Sequence, residues 1–439
     1  MNSRYPIMIT VLIVLLMMPV YPAEGFTQIF GDLDSTEQAV EFSGSISSHF
    51  SYLPGYDNLI EPNAALEGGL EFTSSDFAGN VDFSLGSDLS EDFVISDILQ
   101  NLSLTWFFPR GNFKAGYMVQ QWGVTDTYRV TDIINAVDLS DGLSMDTRKM
   151  KLPEMMGIAQ WFFDTSSLQL IYKPVFHPTW TGNENSRWTI EADQESFVIT
   201  DDTQMIKENT STFSYASYAV RLALSSMNLE THLFFHHGYD YQGGYVYSLS
   251  APVSPDPRAV VDSIETIYTR FNTFGADARY VVGPMTVAAE GAFFLSEDAD
   301  GTDETLYNSR FAYGASLMYL FKNSSSSITA GYYGSHILGY DNTEVMDVDT
   351  MTYVETDHNL TLAFLLSMLN EQLRFEGAFT YQFPTTGYAF LTEITYFATD
   401  EIGVTAGMEL IGSFDSEISS SYAYWDKNDR LYLSISYLF

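Results

Sequence analysis

The chain has 439 residues, with 57 acidic against 19 basic, no cysteine, and 32 Phe, 29 Tyr and 6 Trp. The missing cysteines exclude disulfide scaffolds, thiolate zinc sites and cysteine nucleophiles, and a net charge of −38 lacks the Lys/Arg footprint that nucleic acid requires. A content of 46% hydrophobic and 15% aromatic residues excludes an unfolded chain.

Residues 1–25 read as a secretory signal peptide. Arg4 supplies the positive n-region, Ile7 to Val20 the apolar h-region, and Ala23-Glu24-Gly25 the small residues of a cleavage site. A membrane anchor is the rival, but the apolar run is shorter than the ~20 residues of a spanning helix. The expected mature domain is 26–439.

Period-two alternation dominates from there on. Leu431, Leu433, Ile435, Tyr437 and Phe439 form one face of the last segment; Leu373, Phe375, Gly377, Phe379 and Tyr381 form another; so do Ile402, Val404, Ala406, Met408 and Leu410. Successive side chains of a strand point to opposite faces, so each segment predicts a strand with one apolar and one polar side. Strands are expected near 38–53, 64–77, 79–88, 97–108, 111–121, 155–164, 167–176, 212–225, 228–238, 264–282, 285–296, 308–322, 326–339, 351–368, 371–383, 386–398, 401–414 and 429–439.

Three features favour a membrane barrel over a soluble sandwich. Tyr and Phe stand at the ends of the apolar faces, the strands are long enough to cross hydrocarbon at a tilt, and the chain ends on Phe439 in register with the apolar face. A terminal aromatic of this kind resembles the signal read by the insertion machinery of bacterial outer-membrane barrels. Connection lengths agree: Pro109-Arg110, Thr165-Ser166, Ser226-Met227, Gly283-Pro284 and Asn370 are short. Stretches 122–154, 177–211, 239–263, 297–307, 340–350 and 415–428 are long, and Pro384-Thr385 is an exception. The expected fold is an all-β transmembrane antiparallel β-barrel of eighteen strands, with sixteen as the alternative, short periplasmic turns and long external loops. Such a barrel encloses water, and the segment from Phe26 to Glu37 is too short for a plug domain.

The stretch after the fifth strand carries the most chemistry. It places Trp122, Gly123, Asp126, Arg129, Asp132, Asn135 and Asp138 in one run, followed by Arg148, Lys149 and Lys151. This pattern resembles a family of porin-like bacterial outer-membrane β-barrels of largely unassigned substrate. Its members carry Trp-Gly, then Asp, Arg, Asp and Asn-Pro-x-Asp after a glycine-bearing strand. The resemblance covers roughly residues 111–163, and Ala136 departs from it where Pro is usual, which predicts a looser turn after Asn135. A loop with both charge signs and apolar anchors such as Ile133, Ile134 and Val137 is expected to fold inward and narrow the lumen; a surface loop held by its own Asp–Arg pairs is the alternative. Asp126 and Arg129, three apart, are placed to pair on one helical turn.

By alternation Lys114, Arg221, Asp277, Arg279, Arg374, Glu376, Glu393 and Glu409 face the lumen, because a charge facing lipid costs roughly 2–4 kcal/mol near the midplane. An ion-pair network is favoured slightly over a solute ladder. The acidic excess concentrates in loops 177–211 (Glu184, Glu191, Asp193, Glu195, Asp201, Asp202, Glu208) and 297–307 (Glu297, Asp298, Asp300, Asp303, Glu304), an external rim that attracts cations at low salt. The Asp298–Glu304 run lacks the glycine position and distal Glu of an EF-hand, so it reads as a solvated loop and no metal is assigned. His236 and His237 are strand neighbours and point apart. His49, His177, His232, His336 and His358 sit in no catalytic pattern, so neither an enzyme nor a cofactor is expected.

Together these features predict a multi-pass protein of the bacterial outer membrane, in contact with its lipids, open to oligomerisation, and passing small polar solutes passively. The alternative is a surface-displayed barrel acting as adhesin or antigen through its acidic external loops.

Overall fold

A computed structural model describes residues 39–86, 98–180, 186–188, 197–200, 202–251, 258–303, 305–322, 325–340, 354–383, 385–415 and 420–439. The expected signal peptide, the connection 341–350, and the acidic residues Glu184, Glu191, Asp193, Glu195, Asp201 and Glu304 lie outside them.

The chain opens with barrel strands β1 (Ala39–Leu53), β2 (Leu59–Thr73), β3 (Phe77–Gly86), β4 (Leu99–Phe108), β5 (Gly111–Met118), β6 (Glu154–Phe163) and β7 (Ser166–Lys173). Two short strands outside the barrel follow, β8 (Phe197–Val198) and β9 (Gln204–Lys207), then barrel strands β10 (Ser217–Ser226) and β11 (Leu229–Tyr239). Next come β12 (Gly244–Ser250) and β13 (Ala259–Ile267), again outside the barrel. The barrel resumes with β14 (Arg270–Val282), β15 (Met285–Ser296), β16 (Arg310–Leu320), β17 (Ser327–Ile337) and β18 (Thr356–Met368). It ends with β19 (Leu373–Gln382), β20 (Gly387–Phe397), β21 (Ile402–Ser413) and β22 (Arg430–Leu438).

Eighteen of these form one sheet, so the alternative of sixteen is set aside. Each strand pairs antiparallel with the next in the barrel, and β1 pairs with β22 from Ser45↔Leu438 to Tyr52↔Leu431, closing the cylinder. At the seam Phe439 donates its N–H to the Gly44 carbonyl (3.0 Å) and accepts from the Gly44 N–H (2.9 Å). β2 begins at Leu59 rather than near 64, because Asp57 and Asn58 adopt positive φ of 53° and 61° and turn the chain within residues 54–58.

The alternation sorts side chains as predicted. On β22 Leu431, Leu433 and Ile435 face outward and are about half exposed, while Ser434 between them is buried. On β15 Val287 is outward and Thr286, Ala288, Glu290 and Ala292 are buried inward. Leu102, Leu104, Leu233, Leu317, Ile328, Leu362 and Ile394 continue an exposed apolar belt around the cylinder. Such a surface is unstable against water and suited to hydrocarbon. Aromatics flank the belt. Trp106, Phe163, Tyr319, Tyr396 and Tyr437 stand toward the short-turn end, and Tyr172, Tyr218, Phe311 and Phe414 toward the loop end. Among the described residues no helix is long and apolar enough to cross a membrane; strands cross instead. A closed, even-stranded antiparallel barrel with an apolar belt between aromatic girdles is a multi-pass outer-membrane protein.

The small sheet was not anticipated. β13 pairs antiparallel with β12 and parallel with β8 and β9, so connections 177–211 and 239–263 form a shared structure at the loop end. The expected strand at 264–282 divides here, its first residues belonging to β13 and the remainder to β14.

Candidate functional site

The connection between β5 and β6 is built into the barrel interior. β5 stops at Met118, three residues short of expectation, and Glu154 is the first residue of β6, so the loop runs from 119 to 153. Asn135 sets these limits. Its Oδ1 accepts the Gln120 N–H (2.8 Å), and its Nδ2 donates to the carbonyls of Met118 (3.1 Å) and Leu152 (2.8 Å). One buried amide thus joins both feet of the loop. Ala136 is buried beside it and donates its N–H to Glu154 Oε2 (3.2 Å), a bond that a proline at this position lacks. The chain after Asn135 is therefore fastened through Ala136 itself. Glu154 is itself buried against Lys173 at 2.7 Å, and Lys173 also donates to the Ile134 carbonyl.

The first limb lies along the lumen face of β7 through β17. Trp122 is buried; its indole N–H donates to Gln169 of β7 (3.1 Å), its ring packs on Phe234 of β11, and Arg221 of β10 lies over it at 5.4 Å. Gly123 has φ +88°, and a Cβ there would stand 2.8 Å from the Arg129 Cβ, so the reversal requires glycine. Beyond it the limb meets Glu290 of β15. Oε1 accepts from the N–H groups of Val124 (2.6 Å) and Thr125 (2.7 Å) and from the Thr125 hydroxyl (2.8 Å). Oε2 accepts from the Thr131 N–H (3.1 Å) and hydroxyl (2.8 Å). A buried carboxylate is tolerable only when satisfied in this way. At the far end Thr127 fills the space a Cβ at Gly331 of β17 would take, and Tyr128 stacks on Tyr333 at 4.5 Å.

The expected pairing of Asp126 with Arg129 is not found. The segment bends at Asp126 and Thr127 but forms no helical turn to bring the two together. Asp126 instead pairs with Arg279 of β14 at 3.0 Å, and Arg129 donates from Nε to the Thr125 carbonyl. Asp132 accepts the Trp122 N–H (3.0 Å) and faces Lys151 at 3.5 Å; the Lys151 ammonium also donates to the Asp132 carbonyl (2.8 Å). Lys151 is therefore a strut within the loop.

The second limb crosses to other walls. Leu139, Leu143 and Met145 pack beside Ala389 and Leu391 of β20, Ile411 of β21, Trp188 and Trp425. Asp138 closes a turn by accepting from the Ser140 N–H and hydroxyl. Burial lifts the Asp126 carboxyl above the ordinary value of 3.8, with Arg279 opposing the rise. Burial lifts Asp138 likewise, opposed by the Ser140 hydrogen bonds. Arg148 and Lys149 then project from a turn fixed by Asp146, whose Oδ1 accepts the Arg148 N–H (3.0 Å) and whose carbonyl accepts the Lys149 N–H (3.1 Å). Both side chains are exposed, and neither makes an ion pair among the described residues.

The eight strand charges share the lumen face, and seven are engaged. Arg221 and His232 meet Asp277 at 3.5 and 2.5 Å; Arg279 holds Asp126; Arg374 pairs with Glu376 at 3.0 Å. Arg430 pairs with Glu409, and Tyr432 donates to Glu393 (2.9 Å). Lys114 has no such partner among the described residues. Inward residues on β14–β16, such as Asp277, Glu290 and Ser316, are buried under the first limb. Those on β1, β2 and β19, such as His49, Glu67 and Arg374, keep contact with solvent, whereas the second limb covers part of β20 and β21. His236 is buried inward while His237 bonds Asn272 on the outside (2.8 Å), as alternation required.

Sequence reasoning missed Glu290, Glu154, Lys173 and Arg310. All four obey the alternation that marks their neighbours inward; Arg310, for example, pairs with Asp240 at 2.7 Å. Their inward parity was readable, but their partners were not.

No protein-family model matches the sequence, and neither does any curated protein. Solved structures similar to it include a mutant porin of Rh. blastica, at 8% identity and TM-score 0.42, covering 91% of this chain and all of that one. A loop-deletion mutant of OmpT, an outer-membrane protein of Vibrio cholerae, gives 11% identity and TM-score 0.40, over 92% of this chain and 100% of that one. Pseudomonas aeruginosa OccK3 gives 10% identity and TM-score 0.49, over 91% of this chain and 95% of that one.

Proposed function

We propose that the protein is a passive outer-membrane channel for small polar solutes, with loop 119–153 as its constriction. The observation that carries this is the carboxylate of Glu290 tying the loop to the wall through five hydrogen bonds. A loop held inside an eighteen-stranded cylinder narrows a water-filled bore while leaving the solvated faces of β1, β2 and β19 beside it. Display of external loops gives no reason to build such an interior structure. Transport needs no energy source and no catalysis. The exposed, lipid-facing Phe439 is the group we assign to the insertion machinery. Swelling of proteoliposomes in neutral sugars of increasing size tests the function: rates should fall steeply with solute size, and absence of swelling with every sugar would overturn it.

A further inference from the structure

The second limb of the loop is covered by chain that belongs to another connection. After β7 the polypeptide runs beside residues 137–139. There the Trp180 N–H donates to the Val137 carbonyl (3.0 Å), and the Leu139 N–H donates to the Trp180 carbonyl (2.7 Å). Further along the same connection Trp188 is buried, with its indole against Gly142. Gly142 has φ +87°, and a Cβ there would occupy the place of the Trp188 ring, so limb and cover fit only with glycine at this turn. Leu139, Leu143 and Met145 pack on the cluster that Trp188 forms with Trp425 and the β20–β21 wall.

Trp188 is itself fixed from elsewhere. The Trp425 indole N–H donates to its carbonyl (3.2 Å), and the two rings meet edge to face at 5.5 Å. Asn428 donates to the Arg187 carbonyl (3.0 Å) and accepts from the Tyr56 hydroxyl (2.8 Å), while Arg187 pairs with Glu61 at 3.0 Å. Chain that leaves β7 is thus fastened beside β2 and β22, although β3 to β6 separate β7 from β2 along the wall.

We infer that Trp188 is a size-selecting residue of the channel, holding the second limb over the lumen. The constriction is then set jointly by loop 119–153 and the connection after β7, an inference that rests on the channel function proposed above. Glu290 fastens the first limb and Trp188 the second, so each limb is released by a different substitution. Cutting away the indole leaves a void that its close-packed neighbours cannot fill in place, and the limb loses its cover.

Single-channel recording and sugar entry into proteoliposomes test this in the full-length protein, with barrel folding read by the heat-modifiable gel shift. Trp188→Ala should raise unit conductance and the ratio of raffinose to glucose entry, whereas Trp188→Phe should keep both near wild type. Trp425→Phe keeps a ring but removes the N–H bond, and should give a smaller rise. In the variant lacking residues 126–147, Trp188→Ala should add nothing, since Gly142 and its neighbours are gone. Where Trp188→Ala does not fold, Trp425→Phe decides. Unchanged conductance in the folded variants, or an equal rise with and without residues 126–147, would overturn the role of Trp188 and leave the channel standing. No conductance from any folded protein would overturn the channel itself.

Discussion

The carboxylate of Glu290 and the backbone amide of Thr125, 2.7 Å apart, join a barrel strand to a loop that starts on the far side of five intervening strands. Four further donors from the same loop converge on that carboxylate. Glu290→Ala leaves them unpaired in a buried place, costing at least about 3 kcal/mol of loop docking. Glu290→Gln keeps the volume but turns one acceptor into a donor facing N–H groups. Both variants should show larger, noisier unit currents and new protease cleavage within 119–153. Quiet currents of wild-type size would mean the loop is held by something else.

Ala136→Pro examines the foot of the loop. It restores the residue usual in the resembling family but removes the N–H that Glu154 accepts. Loss of one buried hydrogen bond to a charged group lowers stability by about 1.5–3 kcal/mol. The heat-modifiable gel shift of the barrel should therefore occur at lower temperature. An unchanged midpoint would show that the bond contributes nothing.

Gly331→Val drives a side chain into the space occupied by Thr127, whose Oγ1 lies 2.2 Å from the added Cβ position. Overpacking of this kind costs about 1–3 kcal/mol and acts on the tip of the first limb alone. Unit conductance should rise less than in Glu290→Ala, with barrel stability preserved; full unfolding would place the strain in the wall instead.

Acidity should tighten the loop. Asp126 and Asp138 have carboxyls raised above 3.8 by burial, so the docked loop binds protons more readily than the released one. Their contribution to docking is therefore full below the ordinary carboxylate value and is lost as pH rises through the raised ones. Unit conductance should fall on acidification through that window, and Asp126→Asn/Asp138→Asn should flatten that part of the profile. A conductance that rises on acidification and is indifferent to both substitutions would contradict this sign.

Strands were legible because one face of each had to meet lipid, and a period of two cannot be mistaken over ten residues. Eighteen strands and their parity followed. The route of the loop was not legible. Its charges choose partners across the lumen, so Asp126 selected Arg279 over Arg129, three residues away, and Glu290 became central without belonging to any motif. The motif residues Trp122, Asn135, Asp132 and Lys151 proved to be the loop's own fastenings. Arg148 and Lys149 are the members left facing water. In the external sheet β8 and β9 were hidden because strands of two and four residues carry too few alternations to register, whereas β12 and β13 fell within the stretch read as loop 239–263 and the head of the strand expected at 264–282.

Planar-bilayer recording of the purified barrel beside a variant lacking residues 126–147 is the decisive measurement. A channel narrowed by loop 119–153 gives discrete, stable steps in the wild type and larger ones in the variant. A sealed membrane with folded barrel would contradict the channel, and steps of equal size in both proteins would contradict the constriction.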